Sequence, residues 1–97
     1  MNEGSELAGA FDAAIEQTRK CLKAGMTTLT GEPARPQLEE LERELRRERE
    51  IALQKGTVDR QWFQKSVQSL VTWLPETEPA LIAAFGKIAR ATSVIKP

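Results

Sequence analysis

Ninety-seven residues, 40% of them hydrophobic and 29% charged, make one small globular domain, near the lower size at which a core holds without staples. Fourteen basic residues balance fourteen acidic ones, so no net field steers the chain onto nucleic acid or an anionic membrane. Histidine is absent and Cys21 is the single cysteine, which rules out an internal disulfide, removes the commonest general base and metal ligand, and leaves no Ser-His or Cys-His nucleophile pair.

The opening MNEGSELAGAFDAA carries acids where a signal peptide needs basic residues. No uncharged apolar run approaches the ~18 residues of a membrane span, and the expectation is a cytoplasmic protein. Ser5 reads as the N-cap of a first helix over 5–24. Leu7, Phe11, Ala14, Ile15, Thr18, Cys21 and Leu22 share its apolar face at 3.6-residue spacing. Cys21, set among them, reads as a small hydrophobe rather than a reactive thiol. Gly25 supplies the stop. The stretch 26–36, MTTLTGEPARP, then breaks the pattern with two prolines and a glycine. It reads as a linker, with two alternatives: it holds Met26 and Leu29 against the core, or it is a hinge that lets the first helix exchange between two copies.

A second helix is expected over 37–55, where the chain is nearly all Glu, Arg and Leu. Leu38, Leu41, Leu45 and Ala52 follow a heptad-like seam, with Glu48 standing where the next apolar residue belongs. Six glutamates cancel the arginines, so this segment is no phosphate-binding patch. Each glutamate also has an arginine in reach on the same helix, as in Glu39–Arg43 and Glu42–Arg46. That pattern describes a solvated, salt-bridged face, not a catalytic or metal-binding carboxylate pair. Leu38, Leu41 and Leu45 offer a short seam that a second copy could share.

The third helix, 58–74, holds both tryptophans and is expected to organise the fold. Phe63, Val67, Leu70 and Leu74 lie on one face. Trp62 and Trp73, eleven residues apart, align on a flank about 100° away with Ser66 and Ser69 between them. Two readings fit that flank: rings filling grooves between helices of one bundle, or an interface, where Trp is enriched.

Leu74-Pro75 ends that helix, and the last helix is expected over 79–92, with Leu81, Phe85, Ile88, Ala89 and Thr92 on one face. The segment LIAAFGKIARATSVIK resembles the turn and following segment of helix-turn-helix regulators, with Leu81, Phe85, Gly86, Thr92 and Val94 matching in kind. The resemblance covers Leu81 to Lys96. It implies Gly86 as a turn, Ile88–Lys96 as a recognition helix, and Lys87, Arg90 and Lys96 as phosphate contacts. Read by periodicity alone, the same residues form one unbroken amphipathic helix.

The whole is expected to be an all-α single domain, 1–97, built as a four-helix bundle or two helical hairpins. The function expected is a non-enzymatic protein-interaction module, an adaptor or regulator, self-associating as a homodimer. Trp62, Ser66, Ser69, Trp73, Leu38, Leu41 and Leu45 form its partner surface. No catalytic residue, metal ligand, cofactor motif or small-molecule substrate is read. The alternative is a small DNA-binding regulator using Lys87, Arg90 and Lys96.

Overall fold

Apolar spacing of three and four residues dictates helices, and a computed structural model describes how they assemble over residues 3–28, 30–73 and 80–91; for 3–5 and 73 it describes the backbone only. Among these residues the chain forms α1 (Glu3–Ala24), α2 (Arg35–Lys55), α3 (Arg60–Trp73) and α4 (Ala80–Ala91). The only other pairing among them is an isolated bridge between Thr27 and Pro33. The architecture is an all-α bundle.

Local chemistry explains where the helices begin and end. α1 starts two residues before Ser5, so Ser5 is not its cap. Its C-terminus closes as a Schellman motif. Gly25 takes φ 69°, its N–H donates to the Leu22 carbonyl, and Met26 N–H donates to that of Cys21. α2 starts at Arg35 rather than 37, with Pro36 in its first turn. A proline there gives up an N–H that would have no helical partner anyway. Gly56, at φ 79°, ends α2 by donating to the Ala52 carbonyl. At α3 the cap is Asp59: its Oδ1 accepts from the N–H groups of Gln61 (3.0 Å) and Trp62 (3.3 Å). Val58, expected inside the helix, precedes it and is buried. Leu29, Leu74, Pro79, Thr92 and the tail through Lys96 lie outside the described residues.

The α1–α2 connection is tied rather than loose. Thr28 N–H donates to Glu32, Gly31 N–H to Thr28, and Ala34 N–H to Met26, while Thr28 is buried. This excursion returns the chain so that α2 runs antiparallel to α1. Two ion pairs show the sense, Asp12–Arg49 (2.9 Å) and Arg19–Glu42 (3.8 Å), stepping oppositely along the two helices.

The expectation that the tryptophan helix organises the fold is corrected. α1 is the hub, packing along α2 on one side and α4 on the other. The reason lies in its wide apolar face, where Leu7, Phe11, Ala14, Ile15, Thr18 and Cys21 are all buried. α3 packs less extensively: among the described residues its backbone comes close only to that of α4, and it reaches α1 and α2 through side chains. Leu38, Leu41 and Leu45, expected as a seam for a second copy, are buried in this chain's own core because α1 lies along that stripe. α4 runs unbroken through Gly86, which has no positive φ. The turn implied by the helix-turn-helix resemblance is therefore not formed.

Glu48 continues the α2 seam between Leu45 and Ala52 and is only 6% exposed. Its Oε2 lies 3.4 Å from Nη2 of the exposed Arg47. A buried carboxylate loses hydration that one such contact replaces poorly. Leu45→Ala is expected to destabilise the fold by about 2–5 kcal/mol through cavity formation, whereas Val71→Ala, at a position 55% exposed, changes it by less than ~0.5 kcal/mol. Glu48→Leu is expected to stabilise by about 1 kcal/mol, since the arginine it leaves behind stays hydrated. Urea titrations that give midpoints in any other order contradict this packing.

Candidate functional site

The flank of α3 that carries Trp62 is where the bundle is incomplete. Going round the bundle, α2 neighbours α1, α1 neighbours α4, and α4 neighbours α3. The square is not closed, because no Cα pair brings described residues of α2 and α3 within 8 Å. A groove of about 540 Å³ runs along that open edge.

Helical periodicity builds both walls. From α2 come Gln37, Glu40, Leu41, Glu44 and Arg47, a stripe at spacings of three and four. From α3 come Gln61, Trp62, Lys65, Ser66, Ser69 and Leu70, on the same rule. Leu41 and Leu70 are buried, as is Ser66, so the floor is largely apolar. Glu40, Lys65 and Ser69 are exposed at the rim. Each wall spans about ten residues, or roughly 15 Å of helix.

Trp62 is the pivot of this arrangement. Its indole stacks on Phe11 of α1, with ring centroids 6.2 Å apart and planes 19° apart. It also packs at 6.0 Å on Phe85 of α4, which Phe63 approaches at 5.9 Å. Pairs at these distances add about 0.5–1.5 kcal/mol each beyond area burial. On its polar edge, Nε1 donates to Oε1 of Glu44 across the groove at 3.1 Å. Among the described residues this is the one hydrogen bond joining α3 to α2. A half-buried indole thus satisfies its N–H while its rings hold three helices together.

The partner surface expected from sequence divides in the structure. Trp62, Ser66, Ser69 and Leu41 meet in the groove. Leu38 and Leu45 belong to the core, and the side chain of Trp73 is outside the described residues. Sequence reasoning missed Glu40, Lys65 and the other polar wall residues. Their spacing was visible, but a polar stripe on a helix ordinarily means only solvent.

Lys87 and Arg90 stand together on a second, shallower cleft between α1 and α4, beside Glu6 and the small residues Gly9, Ala10 and Ala13. Cys21 is buried. No three His, Cys, Asp or Glu side chains among the described residues converge as a metal site requires. No helix of the described residues is long and apolar enough to cross a membrane. No family model, curated protein or solved structure matches this chain.

The bridge makes a quantitative expectation. Trp62→Phe removes the donor and shortens the ring, so its own cost, about 1–3 kcal/mol, combines the lost bond with the void left behind. In a double-mutant cycle with Glu44→Ala, the two substitutions should couple by about 1 kcal/mol. Additive unfolding free energies would show that the bond contributes nothing.

Proposed function

We propose that this chain is a non-enzymatic helical module that binds another polypeptide in the α2–α3 groove. The observation that supports this is the unclosed edge of the bundle: two helices present facing stripes with no helix between them. An apolar floor with polar rims is the form in which an amphipathic helix is received, its anchors spaced three and four residues apart. Trp62 on the wall supplies the kind of aromatic anchor that dominates such contacts. The exposed large hydrophobic residues among those described, Leu53 and Val71, stand on different helices, and neither lines the groove.

DNA binding is the less favoured proposal. Lys87 and Arg90 have no carboxylate partner among the described residues, yet Glu6 lines the same cleft, and the turn that would present a recognition helix is absent.

Selection of helical peptides from a random library against the immobilised protein tests the groove. Enriched sequences are expected to be amphipathic and to lose at least about tenfold in affinity for Ser69→Arg, which fills the groove from an exposed position; tenfold corresponds to ~1.4 kcal/mol. Enrichment of nothing, or of peptides indifferent to Ser69→Arg, overturns the proposal.

A further inference from the structure

We infer that the groove's occupant is the same groove of a second copy, the two related by a two-fold axis parallel to the helices. This rests on the reading of the groove as a polypeptide-binding surface. It is carried by where the unpaired charges stand.

Most α2 charges are already matched within the chain. Arg35 pairs with Glu39, Arg46 with Glu42, Arg49 with Asp12, and Arg47 with Glu48, while Glu44 accepts from Trp62. At the groove rim Glu40 on α2 and Lys65 on α3 are both exposed, and neither makes an ion pair among the described residues. The Trp62–Glu44 bond fixes their relative height. Glu40 lies four residues from Glu44, about 6 Å along α2, and Lys65 lies three residues from Trp62, about 4.5 Å along α3. Trp62 comes seven residues after the end of α2 yet lies beside Glu44, eleven residues before that end, so the chain doubles back and both steps lead the same way along the groove. The two charges therefore stand at nearly the same level on opposite walls.

That placement is self-complementary. A two-fold axis along the groove lays α3 of one copy against α2 of the other, and the reverse. Lys65 of each copy then meets Glu40 of its partner, twice per dimer, as an isologous interface requires. The same contact gives α2 the α3-like neighbour it lacks and covers the part of Trp62 that the single chain leaves open. A two-fold axis across the helices and centred on this stretch instead sets α2 on α2 in the reverse sense, bringing Glu40 of each copy towards Glu44 of the other and leaving Lys65 facing α3. The charges select the first arrangement, since like charges across an interface are strongly disfavoured.

Sedimentation equilibrium of Lys65→Glu, Glu40→Lys and their equimolar mixture tests this pairing. Both positions are exposed, so the variants should retain the helical circular dichroism of the parent. The parent is expected to dimerise, and each variant to dimerise at least about tenfold more weakly, because each dimer contains the altered contact twice. Mixing them should recover the dimer, since one copy carries two acids and the other two bases at the paired sites. A parent that stays monomeric at millimolar concentration, variants that dimerise like the parent, or a mixture that fails to recover each overturns the inference. If the parent is monomeric while the peptide selection succeeds, only the self-pairing falls. If the selection fails too, the groove reading falls with it.

Discussion

The indole of Trp62 is the contact on which the placement of α3 depends. α3 lies against α4 over a limited length and does not approach α2 closely. Beside the contact of Phe63 with Phe85 and the burial of Leu70, what fixes it is one side chain wedged between Phe11 and Phe85, with its N–H tethered to Glu44. Few residues other than tryptophan offer so large an apolar surface and a donor together. Because the ring is only partly covered, the same group that holds the bundle together also forms part of its open wall. Stability and recognition thus draw on one residue.

How much of this the chain's letters disclose varies by element. α1 is nearly transparent: its apolar face, its basic final turn and Gly25 all agree, and the structure buries that face. α2 and α4 are legible as helices, but periodicity says only that a stripe will be covered, never by what. Leu38, Leu41 and Leu45 therefore suit an internal helix and an external copy equally well, and α1 takes them. Pro36 looks like a breaker until its place in the first turn is known. Gly86 resembles a turn residue, yet its neighbours Leu81, Phe85 and Ile88 keep spacing that packing rewards, and the helix runs through. For Trp62 the angular argument put the ring on a flank away from the core face. A side chain that long reaches across the angle, and its environment is set by α1 and α4, which no local pattern encodes.

Electrical neutrality overall conceals a division of labour among the charges. On α2 the carboxylates and guanidiniums mostly neutralise each other or α1, which ties two helices side by side without adding much stability, since exposed pairs contribute little individually. Glu48 is different. It interrupts an otherwise apolar seam, the position at which polar residues in helical assemblies restrict alignment to one register. The stretch of α2 least suited to tight packing is thus well placed to discourage slippage of α2 along α1.

The antiparallel course of α1 and α4 has a topological outcome. Residues near the beginning of α1 and the close of α4 border a common cleft, Glu6 beside Arg90 and Ala91. The beginning of α1 and the end of α4 therefore share one pole of the bundle. A short splice from Ala91 to Glu3, with new ends opened elsewhere, would leave the packing of α1 on α2 and α4 in place.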